Sequence, residues 1–140
     1  MRTRLVAAAV IASVLVVGSS GCSQGAAKVP QKTARVTVNG HTSTSHAVSC
    51  TQVQWLLTVD ISAGPGHVRA VLQLDPHQPK MESVNIDNFN GFSGVADAGV
   101  GKAEVTFAGD TYHITGAAPR TNPENPVESS TAPFTIDTTC

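Results

Sequence analysis

The stretch VQWLLTVDI, residues 53–61, indicates the fold class of this chain. Every odd-numbered residue in it is apolar, and three of the four even-numbered residues are polar. A period of two is typical of a β-strand that buries one face and exposes the other. We therefore predict a half-buried strand in which Trp55 lies in the core with Val53, Leu57 and Val59.

Shorter alternating segments lie on both sides of this stretch. Turn signals separate several of them, namely Asn39-Gly40, Gly64-Pro65-Gly66 and Ala108-Gly109-Asp110. The predicted strands are 35–38, 41–50, 53–61, 68–74, 81–86, 102–107, 111–115 and 133–140.

The remaining segments favour irregular structure. Residues 91–101 are rich in glycine and predict a loop or an irregular edge, and residues 119–133, with four prolines, predict a long surface connection. No segment has a convincing helical period. The sequence therefore predicts an all-β fold, a small antiparallel sandwich or open barrel of seven or eight short strands.

The N-terminus has the pattern of a secretory signal. Arg2 and Arg4 precede the apolar run 5–17, and small residues follow up to Gly21. A spanning helix needs about twenty apolar residues, so a permanent transmembrane segment is the weaker interpretation. We assign residues 1–21 to a signal peptide.

Cys22 follows this segment directly. Ser20-Gly21-Cys22 resembles the lipobox of bacterial lipoproteins, although Ser19 stands where that pattern prefers an aliphatic residue. The resemblance implies that Cys22 receives a diacylglyceryl group and becomes the new N-terminus. Residues 22–34 then form a flexible polar tether, and residues 35–140 form the β domain. The alternative is an ordinary secreted protein with an unpaired cysteine.

The chain has three cysteines, an odd number that needs an explanation in an exported protein. If Cys22 is lipidated, Cys50 and Cys140 remain as a pair. Each lies two residues from a residue on the apolar side of its segment, so both sulfurs are expected to point inward. Such a pair oxidises outside the cytoplasm. We predict one Cys50–Cys140 disulfide, and two reduced buried thiols are the alternative.

Length and charge restrict the function. Removal of 21 residues from 140 leaves 119, enough for one small domain. Without Arg2 and Arg4, seven basic residues face ten acidic ones, which gives a net charge of −3. No basic cluster is present, so nucleic acid is not an expected partner.

The residues that carry chemistry elsewhere form no recognised site here. None of the histidines has a second metal ligand at a known spacing. Residues 85–91 place Phe89 and Asn90 where a calcium loop needs a ligand and a glycine, so an Asn/Gly turn is favoured. Asp60, Asp87 and Glu104 fit the solvent face of strands. We expect no catalytic residues, no metal site and no cofactor.

Several segments, in this order, resemble the mycobacterial 19-kDa lipoprotein antigen family. They are Ala34–Gly40, Val48-Ser49-Cys50, Ser83–Gly91, Gly109–Gly116 and Pro133–Cys140. The resemblance implies an acylated, non-enzymatic lipoprotein of the cell envelope, recognised by host immune receptors through its lipid. Family members carry a longer Ser/Thr-rich, O-glycosylated tether, whereas residues 23–34 offer only Ser23 and Thr33.

Two functions follow as hypotheses. The first is a lipid-anchored envelope protein on the extracytoplasmic face of the membrane, acting as a surface antigen or a structural or interaction module. The second is an anchored binding protein for a lipid, a glycolipid or an envelope partner, which an apolar cavity of a few hundred cubic ångströms would favour.

Overall fold

A computed structural model of the chain describes residues 32–121 and 130–140. These residues form ten strands, and the fold is all-β, as predicted. The strands are β1 (Ala34–Val38), β2 (His41–Ser45), β3 (Ala47–Val53), β4 (Leu56–Ala63), β5 (Gly66–Gln73), β6 (Lys80–Phe89), β7 (Phe92–Asp97), β8 (Lys102–Ala108), β9 (Thr111–Pro119) and β10 (Thr131–Thr139).

The strands form two antiparallel sheets of five strands each. The first sheet has the order β2-β1-β10-β9-β8, and the second has the order β3-β4-β5-β6-β7. Both sheets are open. The predicted fold class, an antiparallel sandwich, is therefore confirmed, with ten strands in the described residues where the sequence indicated seven or eight.

Two Asn-Gly pairs form the turns that their sequence predicts. Asn39 and Gly40 have φ angles of 49° and 83°, and Asn90 and Gly91 have φ angles of 49° and 77°. Two-residue hairpins need positive φ at both central positions, and asparagine and glycine tolerate that conformation best. These turns fix the β1–β2 and β6–β7 hairpins.

The prediction of one strand over residues 53–61 is wrong. Val53 ends β3, Leu56 begins β4, and Gln54 and Trp55 form a two-residue turn between them. Val53 is 67% exposed and Trp55 65% exposed, so the predicted burial of both is also wrong. Val53 pairs with Leu56 across the hairpin. As a result, the inward-facing residues have even numbers in β3 and odd numbers in β4.

The predicted strand 41–50 is likewise two strands, which belong to different sheets. The chain passes from β2 to β3 at His46. The buried Ser45 stabilises this corner, because its hydroxyl donates a hydrogen bond to the Ser62 carbonyl and accepts one, 3.0 Å long, from the Ala47 N–H. No glycine or proline lies at this corner, so no local sequence signal predicts it.

Of the two structures predicted for the glycine-rich residues 91–101, a loop or an irregular edge, the second is present. Most of these residues form the edge strand β7, whose register with β6 is irregular. The inward positions of β7 are Phe92, Gly94 and Ala96, so its buried side is narrow. Gly94 of β7 forms an isolated β-bridge with Arg120, the residue that follows β9. This contact ties the edge of the second sheet to the first.

Inward-facing aliphatic side chains from both sheets fill the space between them. The largest fully buried hydrophobic side chains are Ile61, Leu72, Ile86, Ile114, Ile136, Val36, Val38, Val59, Val68 and Val84. Three phenylalanines, Phe89, Phe92 and Phe134, are also buried. The burial of each such side chain stabilises the fold by about 1.5–3 kcal/mol. The core is formed by these aliphatic and phenylalanine side chains, without Trp55.

Candidate functional site

The predicted disulfide is present and connects the two sheets. Cys50 lies in β3, at the edge of the second sheet, and Cys140 follows β10, the central strand of the first. Their Cα atoms are 5.9 Å apart, and 90 positions of sequence separate them. A covalent bond between residues this far apart removes much of the freedom of the unfolded chain.

The beginning of the described chain lies next to this disulfide. The Thr139 N–H donates a 3.0 Å hydrogen bond to the Thr33 carbonyl, and the Thr33 N–H donates a 3.0 Å hydrogen bond to the Thr139 hydroxyl. The N-terminal end of the β domain is thus paired with the residue before Cys140. Cys22, the predicted lipidation site, lies outside the described residues, eleven positions before Thr33.

A shallow polar depression of about 370 Å³ lies on the outer face of the second sheet. His67 and Arg69 of β5, Asn85 and Asp87 of β6 and Ser93 of β7 line it. These side chains alternate with buried residues on their strands, which is why all of them point to solvent. This site was not predicted from the sequence, because its members come together only through strand pairing.

Asp60 contacts two nitrogen-bearing side chains beside this depression. Its Oδ1 accepts a 2.7 Å hydrogen bond from Arg69 Nε and lies 3.3 Å from His67 Nε2. The Arg69 side chain is 57% exposed, so the ion pair itself contributes little to stability. Its effect is to hold the guanidinium in place, which leaves the other N–H groups of Arg69 as hydrogen-bond donors toward a polar ligand.

No histidine in the described residues contacts more than one carboxylate. His67 faces Asp60, and His113 Nδ1 contacts Asp137 Oδ1 on the outer face of the first sheet. Within residues 32–121 and 130–140, no group of three or more His, Cys, Asp or Glu side chains is arranged to hold a metal ion.

The predicted surface carboxylates lie where the alternation placed them. Asp60, Asp87 and Glu104 occupy outward positions on β4, β6 and β8. These three carboxylates therefore lie on the solvent-facing sides of their strands. The favoured Asn/Gly turn is present at Asn90–Gly91, but β6 continues to Phe89, three residues beyond the predicted end of the strand at Ile86.

Residues 32–121 and 130–140 contain no helix that is long and apolar enough to cross a membrane.

Comparison with known proteins identifies the family. Residues 27–140 match the family described as Mycobacterium 19 kDa lipoprotein antigen. This chain belongs to that family. The match covers every strand and both cysteines of the disulfide, and it confirms the resemblance found in the sequence. Membership in the 19 kDa lipoprotein antigen family makes the chain a membrane-anchored lipoprotein of the cell envelope.

Relatives within the 19 kDa lipoprotein antigen family match along nearly the whole chain. A protein named as a lipoprotein in Mycobacterium avium subsp. hominissuis is 36% identical over 99% of this chain and 95% of its own length. Lipoprotein LppE of Mycobacterium tuberculosis H37Rv is 34% identical over the full length of both chains. Lipoprotein LpqH of the same strain is 29% identical over 100% of this chain and 99% of its own.

Proposed function

We propose that this chain is an acylated lipoprotein that Cys22 attaches to the extracytoplasmic face of the cell membrane. Residues 1–21 are its signal peptide and residues 22–33 its tether. The non-enzymatic β domain starts one residue before the predicted 35–140, because Ala34 belongs to β1 and is buried. The domain acts as a surface antigen or as a structural or interaction module. The acylated N-terminus is the part that host immune receptors recognise.

The Cys50–Cys140 disulfide is the observation that carries this proposal. The chain has three cysteines, so the bond leaves Cys22 as the remaining thiol. Disulfides persist in oxidising compartments, which supports a location outside the cytoplasm. The family match and the signal-like residues 1–21 support the same location.

The physical chemistry of the anchor also favours Cys22. A single acyl chain gives marginal, reversible membrane binding, whereas the two chains of a diacylglyceryl group give stable attachment. Thr33, which is hydrogen-bonded to Thr139, lies eleven positions after Cys22 in the sequence. The lipid therefore needs no part of the β domain for its attachment.

Substitution of Cys22 tests the proposal. We expect Cys22→Ala to leave the disulfide intact and to move the protein from the membrane fraction to the soluble one, or to leave an uncleaved precursor. Labelling with a fatty-acid analogue should mark the wild type and not the variant. Equal labelling and equal partitioning of the two proteins would contradict lipidation at Cys22.

A second function, binding of an envelope ligand, is favoured by the depression beside Asp60. The space between the sheets is filled by the core, so the depression offers a surface site rather than an apolar cavity. Arg69 and Asn85 supply donors and Asp87 supplies acceptors, a set that suits the hydroxyl-rich headgroup of a glycolipid.

Native mass spectrometry of protein purified from its own envelope tests this function. We expect a bound glycolipid that the Arg69→Ala/Asn85→Ala variant loses. Lys102→Ala, on the outer face of the other sheet, is the matched control and should keep it. Equal retention by both variants, or a wild-type protein without ligand, would exclude the depression as the site.

A further inference from the structure

The tip of the β3–β4 hairpin exposes three large apolar side chains that follow one another closely in the chain. Val53 is 67% exposed, Trp55 65% and Leu56 45%. Trp55 is the only tryptophan of the protein. The core is complete without these three side chains, so their exposure is not a by-product of crowding inside the sandwich. We call residues 53–56 the hairpin tip.

The two backbone carbonyls of the turn in the hairpin tip are paired within the protein. The Gln52 side-chain amide donates a 3.0 Å hydrogen bond to the Gln54 carbonyl. The Leu74 N–H donates a 2.7 Å hydrogen bond to the Trp55 carbonyl. Unpaired carbonyls are expensive to move out of water. The two turn carbonyls already have donors, so the tip can enter apolar surroundings without losing those bonds.

The surroundings of the tip along the chain carry no charge. Between His46 and Asp60 there is no Asp, Glu, Lys, Arg or His. Burial of the tip therefore takes no ionised group of β3, or of β4 before Asp60, out of water. The charged neighbours of the tip are Asp75, next to Leu74, and Lys80, paired with Gln73, and these two form an ion pair that suits the depth of the charged headgroups. A tryptophan with an apolar body and a polar N–H is the residue type enriched at the level of lipid headgroups.

The tip also lies close to the point where the tether enters the domain. Cys50 is three residues before Val53, a distance of about 10 Å along a strand. Cys50 is bonded to Cys140, and the preceding residue, Thr139, is paired with Thr33. The eleven residues from Cys22 to Thr33 can span at most about 36–40 Å. A bilayer that holds Cys22 is therefore within reach of the hairpin tip.

We propose that the hairpin tip is a second membrane contact, which places Val53, Trp55 and Leu56 in the headgroup region of the bilayer. The position of the tip relative to that bilayer rests on the proposed lipid anchor at Cys22. The two contacts together hold the β domain against the membrane in one orientation. The opposite ends of the strands, with the Asn39–Gly40 turn, then face away from the bilayer.

The fluorescence of Trp55 reports this contact directly, because no other tryptophan contributes. The acylated protein is placed in phosphatidylcholine–phosphatidylglycerol vesicles and compared with the Cys22→Ala chain, residues 22–140, in buffer. We expect emission at shorter wavelength in vesicles, quenching by lipids brominated in the upper part of the acyl chain, and protection from iodide. The same emission and the same iodide quenching in both samples would overturn the proposal.

Partitioning of the unacylated Cys22→Ala chain to the same vesicles gives the matched comparison. Adding Leu56→Ser should lower the partition constant about tenfold, since a buried leucine side chain is lost from the contact. Adding Val100→Ser should leave it unchanged, although Val100 is 50% exposed and apolar as well. Equal partitioning of both variants would contradict a membrane contact. Crosslinking of the tip to a protein and not to lipid would contradict it as well.

The outcomes separate this inference from the proposed anchor. Acyl labelling at Cys22 with Trp55 still accessible to iodide would leave the anchor intact and exclude the tip. No labelling, with vesicle binding that depends on Leu56, would exclude the anchor and support the tip.

Discussion

Val53 and Leu56 face each other across the ladder between β3 and β4, and only Gln54 and Trp55 connect them. Gln54 has a φ angle of 53°, an uncommon conformation for a residue other than glycine. The tight turn holds Trp55 outside the sandwich, and the next inward-facing residue is Leu57, which is 5% exposed. This hairpin therefore separates a surface tryptophan from a core leucine two residues later.

Trp55→Ala should change the free energy of unfolding by no more than about 0.5 kcal/mol, because an exposed side chain makes little contact with the core. Leu57→Ala should cost about 2–5 kcal/mol, because it leaves a cavity between the sheets. Urea unfolding followed by circular dichroism measures both variants without relying on tryptophan fluorescence. A larger loss for Trp55→Ala than for Leu57→Ala would contradict the β3–β4 register.

Removal of the disulfide should destabilise the domain strongly. The Cys50→Ala/Cys140→Ala variant opens a loop with a sequence separation of 90 residues, and the chain-entropy model gives a loss of about 4 kcal/mol. Chemical denaturation measures it, with reduced wild-type protein as the control. Non-reducing mass spectrometry of the wild type should show the two cysteine peptides linked, and two alkylatable thiols in their place would refute the pairing.

Gly94 should tolerate no side chain. A Cβ added there would lie 2.6 Å from the Pro119 carbonyl oxygen and 2.9 Å from the Phe92 ring. We expect Gly94→Ala to cost about 1–3 kcal/mol, since backbone atoms would have to move apart. Gly99→Ala is the control, because its nearest neighbour would be Asp97 Oδ1 at 3.9 Å. Similar melting temperatures for the two variants would show that β7 and the end of β9 are not in contact.

The pKa of the Asp75 carboxyl should lie below its ordinary value of 3.8. A 3.0 Å hydrogen bond from the His77 N–H to Asp75 Oδ1 is the largest cause that lowers the Asp75 pKa, and the Lys80 ammonium, 3.5 Å from Oδ2, lowers it further. Because the folded pKa lies below the ordinary value of 3.8, the stabilising effect is complete above about pH 3.8. It is lost as the pH falls through the folded pKa.

NMR titration of the Asp75 carboxyl carbon measures this pKa. In Lys80→Gln the pKa should rise but stay below 3.8, because the His77 hydrogen bond persists. A return to 3.8 in that variant would assign the whole effect to the ion pair.

The hairpin turns and the disulfide could be predicted from the sequence because their signals are local. The Asn39–Gly40 and Asn90–Gly91 turns have the residues that positive φ angles require. The pairing of Cys50 with Cys140 followed from the assignment of Cys22 to lipidation, and the period of two placed both cysteines in phase with inward-facing residues. The turn at Gln54-Trp55 has no such residue, and the apolar Leu56 continues the run across it. The depression near Asp60 was missed because its members come from three strands, β5, β6 and β7.

The sequence by itself determined that this protein is a β domain behind a signal-like segment and Cys22, with one pair of cysteines left for a disulfide. Those conclusions depend on composition, short turn motifs and a period of two, which are properties of neighbouring residues. Only the tertiary structure decided that the chain changes sheets at His46, that residues 92–97 pair as an edge strand, and that Trp55 faces solvent. A one-residue change in register moves every side chain of a strand to the opposite face, and register is set by pairing with distant strands. The local pattern therefore predicts that a strand has two different faces, and the long-range pairing decides which face is buried.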